Sequence, residues 1–120
     1  MKFIQTFEKF VNKNDLDDVE KYADNKLSPI DVEFTKHFFK QLKNKRNKPE
    51  ISKAELIGFF KRLTKHQREL DTFLAQYDEI VVLDRRNDIN IPFAQMANQI
   101  IAKTVMRKKD FQTSNKKLKI

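Results

Sequence analysis

The chain has 120 residues, no cysteine, a single glycine and a formal net charge of +8 at pH 7. Without cysteine there are no disulfide bonds and no thiolate metal sites. One glycine excludes glycine-rich phosphate-binding loops and dinucleotide fingerprints, because both need several. The length corresponds to one domain with an ordinary hydrophobic core. No apolar run approaches the roughly 20 residues of a membrane-spanning helix, so no membrane partner is expected.

The basic charge is unevenly distributed along the chain. Residues 1–35 carry eight acids against five lysines, whereas residues 36–68 carry eleven basic residues against two acids. Residues 103–120 carry seven basic residues against one acid. A basic body of this kind favours a polyanionic partner, so a nucleic acid is expected. A lysine-rich surface that only maintains solubility is the alternative.

Residues 1–27 are predicted to form an N-terminal helical arm. Apolar residues recur at helical spacing up to position 11, and Asn12-Lys13-Asn14 is expected to end this first helix. Leu16, Val19 and Ala23 predict a second short helix, capped by Asn14 or Asp15 and followed by a linker at 24–26. The apolar residues of the first helix are Phe3, Ile4, Phe7, Phe10 and Val11.

The start of the chain carries a resemblance. Thr6-Phe7-Glu8-Lys9-Phe10-Val11, close behind Met1-Lys2, resembles the opening of many proteins of large-headed tailed bacteriophages. In some of them a similar segment targets internal proteins to the capsid and is followed by an aliphatic-x-Glu processing site. Here Asp18-Val19-Glu20 lacks the aliphatic residue. The resemblance implies a phage origin, and a location in the host cytoplasm or the virion, more than it implies packaging.

Residues 28–109 are predicted to form an α+β core, in which helices precede a small antiparallel sheet. Ser28-Pro29-Ile30-Asp31 has the composition of a helix start, and Pro49 would prevent that helix from continuing. Ser52-Lys53-Ala54-Glu55 is a capping box for the next helix. Apolar residues continue at helical spacing to position 77, as one helix or as two with a bend near Thr64.

The sheet is predicted after residue 78. Residues 79–83 and 89–91 are β-type runs separated by a polar turn at 85–88, which indicates a hairpin. Pro92 cannot donate a ladder hydrogen bond and is expected to close its strand or to lie on an edge. Residues 100–106 predict a third strand after a turn at 97–99, although a helix over 93–104 also fits and would make the protein mostly α with one hairpin. Residues 110–120 are predicted to be a basic C-terminal tail.

The candidate functional residues are basic or histidine side chains. His37 could act as a general acid or base, since histidine titrates near neutrality. Two histidines without matching carboxylates do not make a metal site, so neither a metal nor another cofactor is expected. The residues predicted to bind nucleic acid are Lys43, Lys45, Arg46, Lys48, Arg85, Arg86, Arg107, Lys108 and Lys109.

A second resemblance concerns the layout of residues 28–107. A histidine near a helix start, basic residues after it, a second helix and a short basic sheet look like compact ribonuclease toxins of the RelE type. The resemblance implies RNA as the nucleic acid and a metal-independent endoribonuclease activity. Its catalytic residues would be His37, Arg46, Lys103 and Arg107. The other possibility is a non-enzymatic phage protein, either an internal virion component or a binder of a host protein, in an oligomeric state that the sequence does not define.

Overall fold

A computed structural model describes residues 11–120. These residues form four helices and six strands, and the predicted α+β class is confirmed. The elements are α1 (Lys13–Leu27), β1 (Asp31–Phe34), α2 (Lys36–Gln41), α3 (Lys53–Thr64), α4 (Gln67–Gln76), β2 (Glu79–Asp84), β3 (Ile89–Met96), β4 (Gln99–Ala102), β5 (Met106–Arg107) and β6 (Lys116–Lys119). The predicted first helix and the phage-like opening lie almost entirely outside the described residues.

The six strands form one mixed sheet in the order β1-β4-β3-β2-β6, and β5 pairs with β3. The predicted hairpin is confirmed, because β2 and β3 pair antiparallel and the Asp84–Ile89 pair encloses a four-residue turn. The sequence predicts a purely antiparallel sheet, and this prediction is wrong. The pairs β1–β4 and β2–β6 are both parallel.

The third strand is also confirmed, and the alternative helix over 93–104 is wrong. Strand β4 pairs antiparallel with β3, after a turn at Ala97-Asn98. The strand does not continue through 103–105, and pairing with β3 resumes only at β5. Pro92 lies inside β3 rather than at its end or at a sheet edge. Its carbonyl oxygen accepts a hydrogen bond from Lys103 N at 3.1 Å, so its nitrogen faces the gap between β4 and β5, where no ladder donor is needed.

The helix predicted from Ser28 is wrong, because this stretch forms strand β1. Val32 pairs with Ile100 of β4, and its N–H donates to Asp24 Oδ1 at 2.6 Å. The helix starts only at Lys36, where the Thr35 side chain accepts from Phe38 N as an N-cap. The backbone partners that make residues 31–34 a strand come from a segment about 70 residues later, and tertiary pairing overrides the local start signal.

The first described helix also differs from its prediction. The side chain of Asn12 accepts from Asp15 N, and the Asp15 side chain accepts from Asn12 N, so residue 12 begins a helix rather than ending one. Helix α1 then runs to Leu27, through the predicted linker at 24–26. The capping box of Ser52 and Glu55 is confirmed at the start of α3. Of the two alternatives for residues 53–77, one long helix or two, the structure has two, because α3 ends at Thr64 and α4 begins at Gln67.

The core lies between the helices and one face of the sheet. Phe60 of α3 packs edge-on against Phe93 of β3, with ring centroids 6.4 Å apart. The segment predicted as an arm contributes α1 to this core, and the segment predicted as a tail contributes Leu118 of β6. Alternate residues face the other way, so Leu83 of β2 lies beside Lys119 of β6 on the second face of the sheet.

Candidate nucleic-acid interface

Two basic grooves flank the turn between β2 and β3. Arg85 and Arg86 are adjacent in this turn, and each lines a different groove. The Arg85 backbone N–H donates to the Ile120 carbonyl oxygen at 3.1 Å, and its Nε donates to the same atom at 3.3 Å. The Arg86 backbone N–H donates to Asp84 Oδ1 at 3.1 Å. Both arginines are therefore attached through their backbones to the end of the sheet.

The strand-side groove has a volume of about 320 Å³ and lies on the second face of the sheet. Its lining contains five cations and two carboxylates, with Leu83 as the apolar member. The lining residues are Leu83, Arg85, Asp88, Lys108, Lys109, Asp110, Lys117 and Lys119. Three separate segments supply these cations: the hairpin turn, the loop after β5, and strand β6. Such a concentration of positive charge can hold phosphate groups.

Buried Asn90 holds one wall of the strand-side groove in place. Its Nδ2 donates to the carbonyl oxygens of Met106 at 3.1 Å, Lys108 at 2.9 Å and Asp88 at 3.3 Å. The Lys108 N–H donates to the Asp88 carbonyl oxygen at 2.9 Å. These bonds fix the start of the loop after β5 against the hairpin turn, so the side chains of this loop stay beside Arg85.

Backbone conformation shapes the two ends of the same wall. Asp88 and Asp110 both have a φ of 55°. This left-handed region is tolerated better by aspartate than by most residues other than glycine. On the opposite wall, Lys117 Nζ donates to the Phe111 carbonyl oxygen at 2.7 Å. That bond ties the loop after β5 to β6.

The helix-side groove has a volume of about 410 Å³ and lies between α3 and the same turn. Four cations and one carboxylate line it. The lining residues are Ala54, Glu55, Gly58, Lys61, Arg62, Lys65, Arg86 and Asn87. The α3 members recur at intervals of three and four residues, so they share one face of the helix.

Arg107 was predicted to bind phosphate, but its guanidinium group is saturated by protein acceptors. Nη1 and Nη2 bond the two Glu55 carboxylate oxygens at 2.9 and 2.7 Å. Nε, Nη1 and Nη2 also donate to the carbonyl oxygens of Pro49 at 2.8 Å, Asn87 at 3.0 Å and Glu50 at 3.1 Å. A guanidinium has five N–H donors, and these five bonds use all of them. In this arrangement Arg107 fastens α3, the hairpin turn and the 49–50 segment together, and it offers no donor to a ligand.

The other predicted catalytic residues do not line either groove. His37 lies in the first turn of α2 and is exposed. The same turn touches the segment of Lys103, because Thr35 Oγ1 donates to the Lys103 carbonyl oxygen at 3.0 Å. Lys103 Nζ lies 3.6 Å from Glu79 Oε1. Arg46 is exposed in the loop after α2.

The basic loop at 43–48 is joined to the end of the sheet by Asn47, which is buried. Its Nδ2 donates to the carbonyl oxygens of Gln41 at 2.7 Å and Val105 at 3.5 Å, and its Oδ1 accepts from Arg107 N at 2.7 Å. This loop therefore packs beside β5. The lysines and the arginine of the loop are exposed around it: Lys43, Lys45, Arg46 and Lys48.

Several residues that line the two grooves, most of them cations, are not among those predicted from the sequence. Lys117 and Lys119 alternate with buried Leu118, a pattern typical of a half-buried strand. Gly58, Lys61, Arg62 and Lys65 follow helical spacing, which would have placed them on one face. Both signals are periodic along the chain, whereas the residues predicted to bind nucleic acid lie in contiguous runs of charge.

Among residues 11–120 no three histidine, aspartate or glutamate side chains are grouped so that they could hold a metal ion. In the same range no helix is long and apolar enough to cross a membrane. Comparison of the chain with protein-family models, with curated proteins and with solved structures gives no match.

Proposed function

We propose that this chain is a small basic nucleic-acid-binding protein that holds backbone phosphates in the strand-side groove. The observation that carries the proposal is the assembly of five cations, from three distant segments, at one end of the sheet. Lysine and arginine contacts to phosphates supply most of the affinity of sequence-independent binding. Such contacts position a nucleic acid without reading its bases.

RNA is the first ligand class to test, because the order of elements predicted for residues 28–107 resembles that of compact ribonuclease toxins of the RelE type. Binding is proposed and cleavage is not. Arg107, one of the four residues assigned to catalysis by that resemblance, has every donor engaged by the protein. The phage origin implied by the start of the chain belongs to the same proposal, and it would place the target in an infected cell or in the virion.

The test is a gel-shift titration of purified protein with labelled total RNA and with duplex DNA, in EDTA. The groove variant is Lys108→Gln/Lys109→Gln, and the matched control is Lys45→Gln/Lys48→Gln, which removes the same charge from the loop after α2. We expect the groove variant to bind more weakly. The slope of log K against the logarithm of the salt concentration should become shallower by about one for each lost phosphate contact.

Two results would overturn the proposal. One is that neither RNA nor duplex DNA is shifted. The other is an equal loss of affinity in the groove variant and in the control variant Lys45→Gln/Lys48→Gln. A pull-down from host lysate would then test the alternative, a non-enzymatic phage protein that binds a host or virion protein. The same gels report cleavage, and RNA degradation that disappears in His37→Ala would restore the ribonuclease hypothesis.

A further inference from the structure

The helix-side groove contains an arginine whose position is fixed by the fold. Arg62 Nε donates to Asp84 Oδ1 at 2.9 Å, and Nη2 donates to Asp84 Oδ2 at 2.6 Å. The Asp84 side chain is fully buried, and the Arg62 side chain is 22% exposed. A two-bond contact to a buried carboxylate fixes both the position and the plane of a guanidinium. Among residues 11–120 no acceptor is hydrogen-bonded to Nη1, and Arg62 is one of the residues that line the groove.

Gly58, the only glycine of the chain, makes room for this arginine. A Cβ atom at position 58 would lie 3.1 Å from Arg62 Nη1 and 3.3 Å from Nη2. The guanidinium therefore rests directly on the surface of α3. Glycine is disfavoured in a helix interior relative to alanine, so a close approach of another group is the usual reason for finding it there.

The positive charge of the helix-side groove is only partly neutralised by protein carboxylates. Asp84 compensates Arg62, and Glu55 is held by Arg107 from outside the groove. Burial raises the pKa of Glu55, but hydrogen bonds from Arg107 and Ser52 outweigh this effect and leave the pKa below its ordinary value. Lys61, Lys65 and Arg86 remain, and all three are exposed.

We propose that the helix-side groove is a binding site for a phosphoryl group. Arg62 Nη1, beside Gly58 in the groove lining, supplies an oriented donor, and the lysines and the turn arginine supply mobile charges around it. A fixed guanidinium that loses no further freedom on binding, with flexible ammonium groups beside it, suits a tetrahedral anion with several acceptor oxygens. The phosphoryl group could belong to a phosphomonoester or to a nucleic-acid backbone. This inference is independent of the strand-side groove.

Gly58 also provides the probe. Because it is the only glycine, selective labelling with ¹⁵N-glycine gives a single backbone amide signal, which comes from a residue that lines the groove. The labelled protein is titrated separately with inorganic phosphate, adenosine 5′-monophosphate and a short single-stranded oligonucleotide without terminal phosphates. Sodium chloride at the same ionic strength serves as the salt control.

In this experiment the groove variant is a different one, Lys61→Gln/Lys65→Gln in the helix-side groove. Its charge-matched control is Lys21→Gln/Lys26→Gln on α1. We expect phosphate or the nucleotide to move the Gly58 signal in a saturable way, and sodium chloride to leave it in place. Apparent affinity should fall at least about tenfold in the groove variant, because each lost charge-assisted hydrogen bond is worth roughly that factor. The control variant should keep its affinity within about twofold, as expected for charges outside the site.

The oligonucleotide distinguishes the two sources of the phosphoryl group. Saturation by the unphosphorylated oligonucleotide at lower concentration than by the nucleotide assigns the site to backbone phosphates, and the reverse order assigns it to phosphomonoesters. A Gly58 signal that moves with none of the three ligands overturns the proposal. Equal weakening in the groove and control variants does so as well, because it would indicate general charge attraction. Neither result bears on gel shifts caused by the strand-side groove.

Discussion

Replacing Arg107 by lysine should destabilise the fold rather than remove a ligand from a binding site. The Arg107 side chain is only 10% exposed, and that of its partner Glu55 is 25% exposed. The five bonds of the guanidinium join β5 to α3, to the hairpin turn and to the 49–50 segment. Lysine keeps the charge, but it has three donors on one nitrogen and cannot reproduce a planar fork.

The magnitude follows from the burial of this pair. Breaking a fully buried ion pair costs about 3–5 kcal/mol. Here water can reach part of Glu55, and lysine can retain one charged contact, so we expect a loss of about 2–3 kcal/mol in the free energy of unfolding. This is a large share of the roughly 5–15 kcal/mol by which domains are stable.

Urea denaturation of the wild type, Arg107→Lys, Glu55→Gln and the double variant would measure this cost and the coupling between the two residues. The coupling free energy should exceed about 1 kcal/mol, since the effects of substitutions at two residues in direct contact do not add. Lys109→Gln is the control, and it should change stability by less than about 0.5 kcal/mol, because it alters an exposed side chain. An Arg107→Lys protein of wild-type stability that has lost nucleic-acid binding would refute the structural role.

The same pair should make stability depend on pH in acid. The folded pKa of Glu55 is lowered, so ionised Glu55 stabilises the folded state at every pH above its unfolded pKa. This contribution should be lost as the pH falls through the lowered folded pKa. The stability difference between wild type and Glu55→Gln should therefore be largest near neutral pH and shrink in acid, as measured by urea midpoints from pH 7 downwards.

Three further predictions concern stability. Ala97 has a φ of 54°, so Ala97→Gly should raise the unfolding free energy by about 0.5–1 kcal/mol, whereas Ala94→Gly within β3 should lower it; no gain at position 97 in urea would contradict this. Burial, followed by repulsion from nearby acids, raises the pKa of Glu20, so ionised Glu20 opposes folding and stability falls as the pH rises through this raised pKa. Glu20→Gln should thus stabilise the protein at pH 7 and have less effect near pH 4, whereas equal effects at both pH values would refute the assignment. Asp84→Asn leaves the Arg62 charge without its buried partner and should cost about 3 kcal/mol, measured as a lower thermal midpoint.

Elements with local signals were predictable from the sequence. The Ser52–Glu55 capping box and the hairpin over β2 and β3 occur where the pattern indicates them. The break near Thr64 is one of the two alternatives that the pattern allows. Each of these elements depends on residues within a few positions of one another: a cap with its partner three residues later, or two β-type runs around a polar turn. The α+β class followed from these elements.

Strand β1 illustrates what local signals could not provide. Ser28 and Pro29 have the composition of a helix start, yet the next residues pair with β4. Likewise, Lys116–Lys119 has the composition of a solvated tail and forms a strand only because β2 offers a free edge. Strand pairing with a distant segment is decided by the tertiary structure, since the hydrogen-bond partners are not encoded nearby.

The candidate sites divide in the same way. The sequence by itself determined that the protein is basic, that it lacks the residues for thiolate metal sites and glycine-rich loops, and that Arg85, Lys108 and Lys109 are candidate phosphate ligands. Only the tertiary structure decided that these three share a groove and that Arg107 is excluded from it. Charge is a property of composition, whereas the availability of a charge depends on which acceptors the fold brings within hydrogen-bond distance.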